Sequence, residues 1–150
     1  MTEKFSNKKT VFIDAPVTAV WQALIDPALI KKYFFGVETI GEWKEGNTIM
    51  SKGEWQGKKF RGKSKVLQME TQKLLRHSYW SDLSGHPDVP ENYHIITYEL
   101  SPENRNTKLT LTEENLATKE MKEQSSKLWD MIFDNLKKLL EQGKEKTKMN

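Results

Sequence analysis

Apolar residues between Thr118 and Gln142 recur at helical spacing. Leu128, Ile132, Leu136 and Leu139 form one stripe, and Trp129, Phe133 and Leu140 widen it. Lys122, Glu123, Lys127, Asp130, Asp134, Lys137, Lys138 and Glu141 take the opposite side. This pattern predicts an amphipathic helix of more than five turns, at ~3.6 residues per turn. Thr118 is placed to cap it, Met121 opens its apolar face, and Gly143 marks its end. The polar residues 143–150 read as a frayed, disordered tail.

The N-terminal part has a different rhythm. Thr10-Val11-Phe12-Ile13-Asp14 is short and β-rich, and predicts a first strand. Pro16 suits the first position of a helix, where its missing N–H costs nothing. Val17, Val20, Trp21, Leu24 and Ile25 continue that helix at the right spacing. Asp26-Pro27 breaks it, and a second short helix runs from Ala28 to Tyr33, ending at Gly36. From Val37 to Asn115, extended runs alternate with Gly, Asn and Pro breaks. Strands are expected near 37–43, 47–55, 58–69, 73–81, 93–101 and 107–115. Hairpin turns are expected at Glu45-Gly46-Asn47, Gln56-Gly57 and Pro102 to Asn106. Turns this close together make neighbouring strands antiparallel.

The expected fold class is therefore α+β: a curved antiparallel sheet of about seven strands gripping a long C-terminal helix, with two short helices after the first strand. One domain spans 1–150, with its core over about 10–142. A curved sheet cannot touch a straight helix along its whole length, so side chains fill the gap or it becomes a cavity.

Composition narrows the chemistry. Cysteine is absent, which removes disulfides, thiol nucleophiles and Cys-based metal sites. The first residues lack the apolar stretch of a signal peptide. No apolar run approaches the ~20 residues a membrane span needs, so a cytoplasmic protein is expected. The formal net charge of +3 is modest, and Lys144, Lys146 and Lys148 in the tail supply much of it. No basic stripe or binding motif accompanies it, so nucleic acid is not an expected partner.

Several stretches, in order, resemble the activator of heat-shock protein 90 ATPase-like branch of the START-like (SRPBCC, Bet v 1-like) superfamily, whose fold is the helix grip. Ala15-Pro16-Val17-Thr18-Ala19-Val20-Trp21 is similar to that family's opening helix, and Asp26 to Phe34 to its second helix. Glu42 to Asn47 resembles the Gly-containing turn after the second strand. Phe60 to Val66 resembles the Gly-x-x-Val strand, and Leu74 to Trp80 the strand ending in Ser/Thr-Trp. Ser126 to Lys137 resembles the final helix. The resemblance covers about residues 11 to 141. It implies an apolar or amphipathic small-molecule ligand bound in a hydrophobic cavity, or a regulatory role. Its alternatives are a chaperone-interacting, stress-response role and, third, a cyclase or hydrolase. The co-chaperone behind the family name also uses a separate N-terminal domain, whereas this chain is expected to begin directly at the helix-grip module.

Alternation along the strands assigns the inner face. Ile49, Ser51, Gly53 and Trp55 point inward, as do Phe60, Gly62, Ser64 and Val66. Leu75, His77 and Tyr79 follow, then Ile96, Tyr98 and Leu100, with Leu109 and Leu111 beside them. Trp129 and Phe133 descend from the helix, and Phe34, Phe35 and Trp43 are placed either to line the mouth or to be ordinary core, with core favoured for Phe34. The candidate ligand-binding residues are thus Phe35, Trp43, Ser51, Trp55, Phe60, Ser64, His77, Tyr79, Tyr98, Trp129 and Phe133. Small residues leave room and polar tips orient a guest, although the aromatics could equally fill the space. His77 could act as an acid or base, but it needs a positioned partner that the sequence does not show, so no catalytic residue is assigned. The segment Ser81 to His94 holds His86, His94 and several carboxylates. Its spacing fits no zinc motif, so no metal or other cofactor is expected, and a loop beside the cavity mouth is. Glu113-Glu114 is a carboxylate pair whose members face opposite sides of a strand, which argues against a shared dyad.

Overall fold

The computed structural model describes residues 4–149, with side chains to residue 142. Strand β1 (Phe5–Ile13) leads into helices α1 (Val17–Ile25) and α2 (Pro27–Tyr33). Six strands follow: β2 (Glu38–Ile40), β3 (Thr48–Trp55), β4 (Lys58–Glu70), β5 (Leu74–Ser81), β6 (His94–Glu103) and β7 (Asn106–Leu116). Helix α3 (Lys119–Met149) closes the chain. All seven strands form one antiparallel sheet in the order β1-β7-β6-β5-β4-β3-β2. This is the helix-grip architecture expected from the sequence.

Local chemistry explains the boundaries. Asp26 serves two helices: its N–H donates to Gln22 O to end α1, and its Oδ1 accepts from the Ala28 N–H to start α2. Pro27 occupies the first turn of α2, whereas Pro16 sits one place before α1 and offers its carbonyl to Ala19 and Val20. Gln56 and Gly57 both have positive φ, which matches the two-residue turn that joins twisted strands. Thr118 Oγ1 accepts from the Met121 N–H, capping α3.

Three boundaries differ from the sequence pattern. Strand β1 begins at Phe5 because Asn7 and Lys9, polar residues that hide a strand signal, point inward to partners on α3. Asn7 Nδ2 donates to Lys122 O at 3.0 Å, and Lys9 pairs with Asp130 at 2.6 Å. Strand β2 is only three residues long because Gly41, at φ 126°, turns the chain off the sheet edge and carries Trp43 inward. Helix α3 continues past Gly143 to Met149; the expected frayed tail concerns positions whose side chains and last residue lie outside those described.

The core sits between the inner face of the sheet and α3. Leu75, Leu109, Leu111, Ile132 and Leu136 are almost wholly buried, and Trp129 and Phe133 are buried with them. Burying one such side chain contributes roughly 1.5–3 kcal/mol. No described helix is long and apolar enough to cross a membrane. Ile132→Ala leaves a void under the middle of α3 and is expected to lower unfolding stability by about 2–5 kcal/mol, read from urea denaturation.

Candidate functional site

The register of the sheet lays inward side chains in rows. Val66, His77, Ile96, Glu113 and Asn7 stand side by side across β4, β5, β6, β7 and β1. Leu75, Tyr98 and Leu111 form the next row, and Leu100 beside Leu109 the one after. Toward the other end, Thr39, Ser51, Gly62 and Ser81 run across β2 to β5. One half of the inner face is therefore greasy and filled, while the other is small and polar.

A cavity of about 660 Å³ occupies that second half, beneath the N-terminal part of α3. Its size falls in the range of ligand sites, roughly 300–1,000 Å³. Ten of the eleven candidate residues line it: Phe35, Trp43, Ser51, Trp55, Phe60, Ser64, His77, Tyr79, Tyr98 and Trp129. Phe133 lies behind Trp129, with ring centroids 5.7 Å apart, and belongs to the packed core rather than the wall. Phe34 also lines the cavity and meets Trp129 edge-on at 5.9 Å.

Gly62 fixes how the wall packs on β4. A Cβ there would lie 2.5 Å from Ser51 Oγ and 2.8 Å from the Tyr79 ring. Only a bare backbone lets Tyr79 lie across β4. Ser51 Oγ is buried beside the Tyr79 hydroxyl yet makes no hydrogen bond of good geometry, and burial pushes the Tyr79 phenol up. Trp43 Nε1 and Thr39 Oγ1 are likewise buried without a hydrogen-bond partner.

The mouth is strained. Phe35 has φ 53° and Gly36 φ 75°, so the chain leaves α2 through two left-handed residues. For a phenylalanine this costs on the order of 1–3 kcal/mol. The result is that its ring meets Trp55, with centroids 5.0 Å apart. The segment between β5 and β6 contributes Leu83, Ser84 and Asn92 to the wall. Asp88 ties it down by accepting from Lys63 at 2.9 Å and from the Tyr93 hydroxyl. Trp80 Nε1 donates to His86 O, and His94 turns into the cavity. Among the described residues, no three His, Cys, Asp or Glu side chains stand close enough to share a metal ion.

His77 lies in the middle of the aromatic wall, stacked on Tyr98 at 6.0 Å and met edge-on by Trp43 at 5.3 Å. Its Nδ1–H donates to Ser78 O at 2.9 Å, which leaves the lone pair on Nε2. The Lys65 N–H donates to Ser78 Oγ at 3.1 Å. Burial outweighs the Ser78 contact and pulls the imidazole pKa down to about 4. At neutral pH His77 is an uncharged acceptor, a weak base and no acid.

Glu113 is the residue the sequence pattern undervalued. It faces inward, 3 % exposed, while Glu114 faces out. Its Oε1 accepts from Ser125 Oγ at 2.6 Å and Asn7 Nδ2 at 3.3 Å, and His94 Nδ1 stands 3.8 Å from Oε2. Burial alone would push this carboxyl up, but His94, Ser125 and Trp129 outweigh it and hold it below the usual carboxylate value. Glu113 and His94 both line the cavity. The available signal was register: Glu113 falls in phase with the inward residues Leu109 and Leu111.

Residues 14–141 match the family model described as Activator of Hsp90 ATPase homolog 1-like protein. A Cytophaga hutchinsonii protein with a solution structure is 37 % identical, covering 97 % of this chain and 99 % of its own, with a TM-score of 0.82. A Chromobacterium violaceum protein is 19 % identical over 91 % of this chain and 96 % of its own, with a TM-score of 0.79. A Micromonospora echinospora protein is 24 % identical over 91 % and 83 %, with a TM-score of 0.67. The last two share the fold alone. Among proteins of curated function, none matches this sequence.

The depressed His77 pKa has a definite sign. The unfolded chain takes up a proton near pH 6.5 and the folded chain only near 4, so stability is full above 6.5 and falls as pH drops through that window. The loss by pH 4 is on the order of 3 kcal/mol. Melting temperature followed from pH 7 to 4 is expected to fall more steeply in the native chain than in His77→Gln. Gly62→Ala is expected to cost about 1–3 kcal/mol by forcing Tyr79 and Ser51 apart, read from the same melts.

Proposed function

Because the chain belongs to the Activator of Hsp90 ATPase homolog 1-like family, we propose that it is a binding module of that family for an apolar or amphipathic small molecule. The observation that carries this reading is the cavity of about 660 Å³, walled by Phe34, Phe35, Trp55, Tyr98 and Trp129 with polar groups between them. Large rings give a guest contact area, and the few polar groups fix its orientation. Small inward residues at 51 and 64 keep the volume free, and Gly62 lets the Tyr79 ring lie across β4.

Catalysis by His77 has less support. Its Nδ1 is committed to Ser78 O, and its basicity is low. A chaperone partner rests on the family description alone, and an immobilised chaperone of that class is the direct assay for it. The regulatory and stress-response expectations rest on the same family resemblance, and the cytoplasmic one on the sequence reading alone.

The test is thermal denaturation with a panel of uncharged aromatic compounds, beside native mass spectrometry of the freshly purified chain. A ligand at about 100 times its Kd stabilises the folded state by roughly 2.7 kcal/mol, which raises the melting temperature by several degrees. Ser64→Phe, which fills the cavity from β4, is expected to abolish that shift. No shift with any compound, or an equal shift in the filled variant, defeats the reading.

A further inference from the structure

An ionised carboxylate opening onto an aromatic cavity is an unusual wall element. Glu113 sits on β7 with its first oxygen fully engaged by Ser125 and Asn7. The second oxygen has His94 Nδ1 beside it, at 3.8 Å, and the Trp129 side chain is a further hydrogen-bonding neighbour of the carboxyl group. No lysine or arginine forms an ion pair with Glu113 among the described residues. Lys127 lines the cavity from α3 but belongs to the exposed side of the helix.

A buried carboxylate whose ion-pair partner is a histidine 3.8 Å away, charged only when protonated, is incompletely compensated, and an arriving cation would complete it. Ser125, Asn7 and His94 hold the carboxyl in its charged form, so the wall offers an arriving cation an anion rather than a neutral acid. Trp129, Tyr98 and Phe34 stand nearby in the same wall. Aromatic faces attract ammonium groups, most strongly where water is excluded.

We propose that Glu113 Oε2 is the anchor for a protonated amine, and that the ligand class is an aromatic or aliphatic ammonium compound whose apolar body fills the space between Trp129 and Trp55. This rests on the cavity being a ligand site, and it adds the charge and polarity of the ligand. Glu113 also ties β1 and β7 to α3 through Asn7 and Ser125, a structural duty that Glu113→Gln can still perform.

The experiment compares three probes of one shape by isothermal titration: 2-naphthylmethylammonium, uncharged 2-ethylnaphthalene and anionic 2-naphthoate. The native chain is expected to bind the ammonium at least about tenfold more tightly than the uncharged probe, equivalent to ~1.4 kcal/mol, and the anion most weakly. In Glu113→Gln, checked by circular dichroism to be folded, the ammonium preference is expected to collapse toward unity. Equal or tighter binding of the uncharged or anionic probe by the native chain overturns the proposal and leaves the cavity reading standing. Retention of the full ammonium preference in folded Glu113→Gln also overturns it. Binding of none of the three, in a chain that also shows no thermal shift with uncharged aromatics, overturns both. Should Glu113→Gln fail to fold, the probe ranking in the native chain decides alone.

Discussion

The constraint on which the molecule depends is the mismatch between a bent sheet and a straight rod. Helix α3 must cover the inner face to bury its Leu128, Ile132, Leu136 and Leu139 stripe. It reaches close contact over the rows of Leu75, Tyr98 and Leu111, and of Leu100 and Leu109. Toward its N-terminus it stands off, and the sheet there presents Ser51, Gly62 and Ser64 instead of large apolar groups. The space that results is a consequence of curvature and of residue size acting in the same place.

Polar contacts hold the helix near its start and again at Glu141. At one end Ser125 donates to Glu113, and Asn7 bridges that carboxylate to Lys122 O. At the other, Glu141 accepts from the Asp14 backbone N–H at 2.9 Å. Buried polar groups of this kind stabilise little on net but fix position, because a shifted helix would leave them unpaired. The contacts at Glu113 also set the height of α3 above the polar half of the sheet. The same carboxylate thus shapes the cavity and supplies its charge.

Aromatic rings transmit this arrangement across the wall. Phe34 meets Trp129, Trp129 meets Tyr98, Tyr98 stacks on His77, and His77 meets Trp43. Each contact links a different element: α2, α3, β6, β5 and the turn after β2. The left-handed backbone at Phe35 brings one more ring onto Trp55 at the mouth. Strain at that position is consistent with a wall whose shape the surrounding packing over-determines.

The sequence by itself determined the order of elements, the antiparallel pairing and the two faces of each strand. These follow from local periodicity, from turn residues such as Gln56-Gly57 and from the Asp26-Pro27 break. It also marked ten residues that line the cavity, since inward phase plus side-chain size is a one-dimensional signal. Tertiary structure decided the rest. Asn7 and Lys9 look like surface residues until α3 supplies their partners, so β1 began too late in the sequence pattern. Trp43 turns inward because Gly41 frees the chain from the edge, a backbone event without periodicity. Phe133 has the right helical face, but the rod's height puts it behind Trp129 rather than in the wall. Glu113 and His94 became a pair only when adjacent strands set their register and Ser125 closed over them, because charge burial is a property of what packs around a residue rather than of its neighbours in the chain.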